Sequence, residues 1–341
     1  MKNSYKLLVV IAICIAIISC SKSSSDDFTI RDYATQYKTD SLAIESYLDT
    51  HFITYDSDFN VTFDTLLPTS GHSSIRTDSS LDLRDTLLYQ NGINYKVHYI
   101  RLRQGDITNG RRPTQVDSVF IAYKGVKLTK SSTTGHEDVF DRADSPVWFK
   151  LQDVISGWTH LIPAFKTGTY TPSSGNNPAT FNNFGAGVMF LPSGLGYYNN
   201  ATASLSSYSP LIFSFKLMEL RYRDHDGDGI LSKDERGLTD TNSQTRWREN
   251  PGSDAYDVQY NPSTKVYTIT TIPFLDTDGD GIADMYDSDD DGDTYLTRAE
   301  LSYINPVTGI KSYYNFSNAP DCSGSASSPT RIRKYLDKTC H

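Results

Sequence analysis

Residues 147–161, VWFKLQDVISGWTHL, decide the fold of the middle of the chain because they place one short helix directly after a strand. The first five residues have the apolar and aromatic content of a strand. From Asp153 the spacing changes, since Val154, Trp158 and Leu161 fall on one face of a helix whose N-terminus Asp153 could cap. The segment therefore predicts a strand over residues 147–151 and a helix over residues 153–161.

Further strands surround this helix in the sequence. Apolar residues alternate with a period of two in residues 94–100 and 118–123, and residues 187–191 and 210–220 have a similar character. Residues 169–183 are rich in Gly, Ser, Asn and Pro, which predicts a long loop. Many antiparallel strands around a single helix predict an α+β unit. An earlier stretch, residues 32–52, has the spacing of an amphipathic helix and predicts a short docking helix.

Six short motifs resemble FKBP-type peptidyl-prolyl cis-trans isomerases in kind and in order. Along the chain they are residues 119–125 (VFIAYKG), 140–141 (FD), 146–149 (PVWF), 154–158 (VISGW), 191–197 (LPSGLGY) and 209–215 (SPLIFSF). The resemblance implies a twisted antiparallel sheet wrapped around the helix at residues 154–161. It also implies isomerisation of X-Pro bonds, here in exported polypeptides, with no cofactor for catalysis and no covalent intermediate.

Carried over by position, the resemblance implies a pocket lined by eight residues, with Trp158 as its floor. They are Tyr123, Phe140, Asp141, Val154, Ile155, Trp158, Tyr197 and Phe213. The Ile155 N–H, the Tyr197 hydroxyl and the Asp141 carboxylate would orient the peptide. A dry aromatic pocket favours the twisted amide because that transition state is less polar than the ground state. Taken singly, each aromatic residue is more typical of core packing than of a pocket, and only the ordered set of motifs favours the pocket.

Three departures from the family pattern keep a second interpretation open. Val147 stands where an aromatic residue is usual, Tyr198 stands where Gly is common, and residues 169–183 are an insertion. The alternative function is a weakly active or inactive FKBP-fold chaperone or surface binding protein with structural calcium.

The acidic residues are concentrated after this unit. Of the 41 acidic and 32 basic residues of the chain, 19 and 6 fall between Asp224 and Glu300, which gives that segment a net charge of −13 within a chain of −9. No Lys/Arg-rich stretch interleaved with aromatic residues occurs in the sequence, so nucleic acid is not an expected partner.

Three twelve-residue segments of the acidic region match a calcium-binding loop, with carboxylates at positions 1, 3 and 5. The predicted ligands are Asp224, Asp226, Asp228, Ile230, Ser232 and Glu235 in loop 1, Asp276, Asp278, Asp280, Ile282, Asp284 and Asp287 in loop 2, and Asp289, Asp291, Asp293 and Glu300 in loop 3. Loop 3 has Thr294 at the sharp turn, where a β-branched residue resists positive φ. The loops resemble thrombospondin type 3 or dockerin repeats, which implies structural Ca²⁺. The motifs at Ser232–Glu235 and Thr297–Glu300 are also capping boxes, and the two roles can coexist.

The N-terminus predicts export and a lipid anchor. Two lysines, an apolar run over residues 7–18 and the sequence Ser19-Cys20 form a signal peptide that ends in a bacterial lipobox, with Cys20 as the acylated residue. The polar residues 21–27 then form a tether, and the predicted location is the outer membrane, on its periplasmic face or at the cell surface. In an oxidising compartment, Cys322 and Cys340 are expected to form a disulfide.

The sequence thus predicts five regions. They are a signal peptide (1–19), a lipid tether with an N-terminal helical region (20–93), an FKBP-type isomerase domain (94–222), a calcium-loop module (223–304) and a C-terminal tail with the disulfide (305–341).

Overall fold

The structure is a computed structural model that describes residues 29–128, 137–235, 246–248, 255–261, 266–272 and 275–340. The chain divides into a unit of residues 1–32 and a unit of residues 33–341, and the description below concerns the second. The predicted signal peptide, Cys20 and the tether lie outside the described residues. Among the residues that are described, no helix has both the length and the apolar character needed to cross a membrane.

The elements follow the chain as three α-helices and fifteen strands in the described ranges. The helices are α1 (Tyr33–Thr50), α2 (Ser156–Leu161) and α3 (Thr297–Glu300). The strands are β1 (His51–Tyr55), β2 (Val61–Thr65), β3 (Leu83–Gln90), β4 (Ile93–Arg103), β5 (Ser118–Lys127), β6 (Val139–Lys150), β7 (Thr169–Thr171), β8 (Thr180–Asn182), β9 (Gly185–Leu191), β10 (Leu211–Arg221), β11 (Arg246–Arg248), β12 (Ala255–Asn261), β13 (Val266–Ile272), β14 (Ser302–Ile304) and β15 (Lys311–Tyr313).

A six-stranded antiparallel sheet forms the centre of the fold, in the order β3-β4-β9-β10-β5-β6. Alternate residues of its central strands enter two different cores. On β9, for example, Met189 and Leu191 join the core that contains α2, whereas Val188 and Phe190 join the core under α1. Because both faces are covered, every residue of β9 is buried. The α+β class predicted from the sequence is confirmed.

Helix α2 packs on one face of the sheet and is shorter than the sequence predicts. It begins at Ser156, and its N-cap residue is Ile155, whose carbonyl accepts the N–H groups of Trp158 and Thr159. The predicted Asp153 cap is therefore wrong, because residues 151–154 form a turn before the helix. Gly157 allows the close approach, since a Cβ there would lie 2.5 Å from the Leu191 side chain on β9.

Helix α1 and the β1–β2 hairpin cover the opposite face of the sheet. Ile44, Tyr47 and Leu48 of α1 enter the second core, which confirms the helix predicted over residues 32–52. The predicted long loop at residues 169–183 is corrected in part, because β7 and β8 pair within it as a short hairpin. Strands β11, β12 and β13 form a separate antiparallel sheet between the first and second acidic loops.

Candidate functional site

A cavity of about 230 Å³ opens between α2 and the adjoining strands. Seven of the eight residues that the sequence predicts for the pocket line it: Tyr123, Asp141, Val154, Ile155, Trp158, Tyr197 and Phe213. They come from β5, β6, the N-terminal end of α2, the loop after β9 and β10. Segments that lie far apart in sequence thus converge on one concave, largely aromatic surface, which is the usual form of a small-ligand site.

Trp158 lies at the centre of this aromatic group. Its ring packs edge-to-face against Tyr123, Phe149 and Phe213, with centroids 5.0, 5.7 and 5.3 Å away. The side chain is only 3% exposed. Edge-to-face contacts of this kind fix ring orientation as well as bury area, so the Trp158 ring is held rigidly within the cavity wall.

The eighth predicted residue, Phe140, lies against this group rather than on the cavity surface. Its ring is 5.6 Å from Phe213 and 6.3 Å from Tyr197. Gly125 makes room for this arrangement, because a Cβ at that position would lie 2.8 Å from both the Phe140 and the Phe213 rings. Phe140 therefore supports two residues that line the cavity.

The polar groups of the cavity are few. The Tyr123 hydroxyl donates a hydrogen bond of 2.8 Å to Oδ2 of Asp141. Burial, followed by the hydrogen bond to Asp141, raises the pKa of Tyr123 above its ordinary value. Burial and the Asp141 charge likewise raise the pKa of Tyr197. Both hydroxyls therefore keep their protons at neutral pH, and Tyr197 can donate a hydrogen bond to a ligand.

Two further cavity residues, Phe149 and Asp153, are absent from the sequence prediction. Phe149 supplies an aromatic side chain from β6 to the cavity wall, although Val147 stands where the family usually has an aromatic residue. Val147 is 38% exposed and does not line the cavity. The register of β5 and β6 is irregular between Ile121 and Tyr123, and motif position alone cannot reveal such a shift.

Helix α1 anchors the loop that carries Tyr197. The buried Asp40 accepts hydrogen bonds at Oδ2 from the Ser193 N–H (2.8 Å) and the Ser193 hydroxyl (2.5 Å). Five residues after Ser193, Tyr198 stacks on Tyr33 with ring centroids 4.1 Å apart. Tyr198, the residue that departs from the family pattern, thus packs against the N-terminal helix.

The three acidic loops share one hydrogen-bonding scheme. In loops 1 and 2 the position-1 carboxylate accepts the backbone N–H groups of two glycines, as Asp224 does from Gly227 (2.7 Å) and Gly229 (3.1 Å). In loop 3, Asp289 accepts the N–H of Thr294 at 3.0 Å. Thr294 has φ of +79°, in the same region as Gly229 and Gly281. Loop 3 thus takes the same turn despite its β-branched residue, at a cost of about 1–3 kcal/mol in backbone strain.

Nine of the thirteen predicted carboxylate ligands fall into three groups, and the other four, Asp224, Asp284, Asp287 and Glu300, belong to none of them. One carboxylate oxygen from each member lies within 4.8 Å of the others in the sets Asp226–Asp228–Glu235–Asp290, Asp276–Asp278–Asp280 and Asp289–Asp291–Asp293. At position 9, the side chains of Ser232 and Asp284 instead hydrogen-bond to position 2 of their own loops, at His225 and Thr277. Asp290 was not predicted as a ligand.

The electrostatics of the loops fit bound cations. Burial, followed by the neighbouring carboxylates, raises the pKa of Asp228 to about 7 and that of Glu235 to about 10. Burial and the adjacent Asp291 raise the pKa of Glu300 to about 8. Both carboxylate oxygens of Glu235 and of Glu300 lack a hydrogen-bond partner among the described residues. Buried carboxylates without donors are the oxygen ligands that a divalent cation requires.

The tail packs on the loop region. Tyr335, which is 1% exposed, shares a small core with Ile230 of loop 1 and Leu301. Cys322 and Cys340 are bonded to each other, with Cα atoms 5.5 Å apart.

Comparison with known proteins gives one family match. Residues 225–329 match the family described as BamM C-terminal, which spans the acidic loops and most of the tail. No curated protein matches the chain.

Among solved structures, the chain is similar to a peptidyl-prolyl cis-trans isomerase from Pseudomonas syringae pv. tomato, at 17% identity and a TM-score of 0.31, over 56% of this chain and 98% of that one. It is also similar to FkpA from Escherichia coli, at 16% identity and a TM-score of 0.31, over 64% of this chain and 72% of that one. It is similar as well to the N-terminal domain of FKBP42 from Arabidopsis thaliana, at 12% identity and a TM-score of 0.27, over 37% of this chain and 86% of that one.

Proposed function

We propose that this chain is an FKBP-type peptidyl-prolyl cis-trans isomerase that acts on X-Pro bonds of exported polypeptides. The observation that carries the proposal is the convergence of seven motif residues from five separate segments on one cavity. These residues belong to motifs that resemble the family in kind and in order, and core packing of each residue singly gives no reason for them to share a concave surface.

The geometry suits amide rotation. Resonance gives the X-Pro bond a barrier of about 18–20 kcal/mol, and the twisted state loses that resonance. The proline ring would pack on Trp158 and Phe213, which exclude water from the amide and so favour its less polar twisted state. The Tyr197 hydroxyl and the Ile155 N–H would donate to the peptide carbonyls. Among the described residues the Ile155 N–H makes no backbone hydrogen bond, so it is available as a donor.

The acidic loops are proposed to bind Ca²⁺ in a structural role. Support comes from the shared loop geometry and from the buried carboxylate oxygens that have no donor in the part of the chain that the structure describes. Extracellular calcium modules need a Kd of only about 10⁻⁴–10⁻³ M, so the sites would stay occupied outside the cell. The cation would neutralise and orient the carboxylates, and catalysis would need no cofactor.

A lipid anchor at Cys20 would hold the protein at the outer membrane. The lipobox and the polar tether support this part of the proposal, and the match to the BamM C-terminal family is consistent with an outer-membrane setting.

A second candidate function is a chaperone or surface binding protein with little catalytic activity. An aromatic patch on the β7–β8 hairpin favours it, because Tyr170 is 51% exposed and packs on Phe181, which in turn contacts Phe120. Exposed aromatic patches of this kind bind apolar polypeptide segments.

The test is a protease-coupled isomerisation assay on an X-Pro peptide with the full chain in detergent. Trp158→Ala should lower kcat/KM by about tenfold or more, because it removes the cavity floor. Trp148→Ala is the matched control, since that tryptophan lies on β6, is 37% exposed and stacks on Phe120 outside the cavity. Tyr197→Phe, which preserves the ring, should lower it by about threefold. Equal rates for Trp158→Ala and Trp148→Ala would contradict the assignment of the site. Suppression of aggregation without isomerisation by the wild-type chain would favour the second candidate.

A further inference from the structure

We propose that Asp290 of loop 3 is a ligand of the cation held by loop 1, so that a single divalent ion cross-links the two loops. The inference rests on the proposed calcium module and goes beyond it, because it assigns a ligand that no twelve-residue loop pattern contains. In that pattern the ligands come from positions 1, 3, 5, 7, 9 and 12 of one loop. Asp290 occupies position 2 of loop 3.

The placement of the carboxylates is the first observation. Oxygens of Asp226, Asp228 and Glu235 in loop 1 and of Asp290 in loop 3 all lie within 4.8 Å of one another. Oxygens bound to one Ca²⁺ at 2.3–2.6 Å are separated by no more than about 5 Å. The four carboxylates therefore surround a space of the right size for one ion.

The burial of Asp290 is the second observation, and it is independent of the loop pattern. Asp290 is 1% exposed and Glu235 is 3% exposed. Neither carboxylate has a hydrogen-bond partner for either of its oxygens among the described residues, and no Lys or Arg of those residues forms an ion pair with them. A buried carboxylate in this setting requires a proton or a cation. Four carboxylates directed at one another favour a cation.

The hydrogen bonding of loop 3 explains how Asp290 can serve loop 1. In loops 1 and 2 the position-2 side chains, His225 and Thr277, bond to the position-9 residue of the same loop. In all three loops the position-2 N–H donates to the position-9 side chain, and in loop 3 the Asp290 N–H donates to Thr297 Oγ1 at 3.1 Å. Unlike the side chains of His225 and Thr277, the Asp290 carboxylate makes no hydrogen bond to position 9 among the described residues, so it is available to loop 1. Helix α3 provides a further link, because Arg298 Nη1 donates to the Asp228 carbonyl at 3.4 Å.

The chemistry of the ligands indicates which ion the site takes. Four carboxylates are hard oxygen donors with a formal charge of −4 and without nitrogen or sulfur donors, and such a set selects Ca²⁺ or Mg²⁺ over transition metals. The Ile230 carbonyl at position 7 would add a further oxygen. A set with this many protein ligands favours Ca²⁺, since Mg²⁺ keeps several waters.

The proposed ion site lies between the end of the central sheet and the C-terminal part of the chain. Loop 1 starts three residues after β10, the strand that contributes Phe213 to the cavity. Loop 3 leads through α3 into the tail that packs Tyr335 against Ile230. The ion would therefore tie the end of the central sheet to loop 3 and the tail.

The test compares two neighbouring residues of loop 3 by calcium titration of the full chain in detergent, with bound Ca²⁺ counted by elemental analysis and binding followed by calorimetry. Asp290→Asn should weaken one site by about tenfold, because the charge of the ligand set tunes affinity. The affected site should be the one that Asp228→Asn weakens, so the Asp228→Asn/Asp290→Asn variant should have one weakened site and its other sites at wild-type affinity. Asp291→Asn, the matched control, should weaken a different site, so the Asp228→Asn/Asp291→Asn variant should have two weakened sites.

The outcomes separate the inference from the module on which it depends. If the wild-type chain binds no calcium, the calcium module itself is wrong. If it binds calcium and Asp290→Asn has wild-type affinity at every site, or weakens a site other than the one that Asp228→Asn weakens, the cross-link is wrong and the loops bind independently. Asp290→Glu, which retains the charge, should keep a tighter site than Asp290→Asn. This comparison guards against a loss caused by misfolding, which circular dichroism in saturating calcium would also detect.

Discussion

The hydrogen bonds of Asp40 give the structure's most direct stability prediction. This carboxylate is 1% exposed and accepts three hydrogen bonds, two from Ser193 and one from Gln36 at 2.7 Å. Asp40→Ala would leave these donors without their acceptor inside the protein. A hydrogen bond to a charged group contributes about 1.5–3 kcal/mol, and a buried donor that loses its partner costs about 1–3 kcal/mol. Allowing for relaxation of the Gln36 side chain, we expect a loss of about 3–5 kcal/mol.

Asp49→Ala on the same helix is the matched control. Its carboxylate forms an ion pair with Arg76 at 2.5 Å, but the side chain is 55% exposed, so its loss should cost less than about 1 kcal/mol. By thermal unfolding, a loss of 3–5 kcal/mol corresponds to a decrease in Tm of roughly 10 °C for a domain of this size, against roughly 2 °C for the control.

The loss of the Asp40 hydrogen bonds should also disturb the cavity, because Ser193 begins the loop that carries Tyr197. Asp40→Asn, which keeps one acceptor oxygen, should have a melting temperature between those of the alanine variant and the wild type. A melting temperature for Asp40→Ala within 2 °C of that for Asp49→Ala would refute the reasoning that these buried hydrogen bonds anchor the loop.

Three further predictions concern the anchor, the cation and the pH dependence. Cys20→Ser should release the protein from membranes, and its retention in the membrane fraction after a high-salt wash would rule out the lipid anchor. Chelation of Ca²⁺ should lower the melting temperature, because an ion that binds only the folded form stabilises it by mass action. Asp224→Ala should lower the melting temperature in the same way. A calorimetric scan that is unchanged by calcium would contradict the predictions for chelation and for Asp224→Ala. The isomerisation rate should be constant between about pH 6 and 8, because the raised pKa values of Tyr123 and Tyr197 keep both hydroxyls protonated throughout that range; a sigmoidal rate profile would indicate a titrating catalytic group instead.

The parts of the fold that the sequence predicts are those in which burial repeats regularly. Residues of strands β4, β5, β9 and β10 alternate between two cores, and α1 buries one face. The spacing of their apolar residues is therefore visible in the sequence. Strand β3 was missed. It lies at the edge of the sheet, and its residues Arg84 and Asp85 are exposed, which removes the alternation that identifies a half-buried strand.

The parts of the site that the sequence leaves out depend on tertiary contacts. Phe149 lines the cavity where it packs on Tyr123 and Trp158, and the motif at residues 146–149 does not by itself specify those contacts. Asp290 lies beside loop 1 only because loops 1 and 3 pack together, whereas a ligand pattern read along the chain assigns each carboxylate to its own loop. The order of the motifs thus predicts where the cavity and the loops lie in the sequence. Which further residues belong to them depends on three-dimensional packing.

Exchange NMR on an X-Pro peptide tests the central claim most directly, since it measures interconversion of the cis and trans isomers without a coupled protease. With a catalytic amount of the full chain, the wild type should produce exchange between the cis and trans signals of the peptide. A folded Asp141→Ala/Tyr197→Phe variant should lower that exchange rate by about tenfold or more, because it removes two of the three polar groups that would orient the peptide and leaves only the Ile155 N–H. Equal exchange rates for the wild type and the folded double variant would contradict the account.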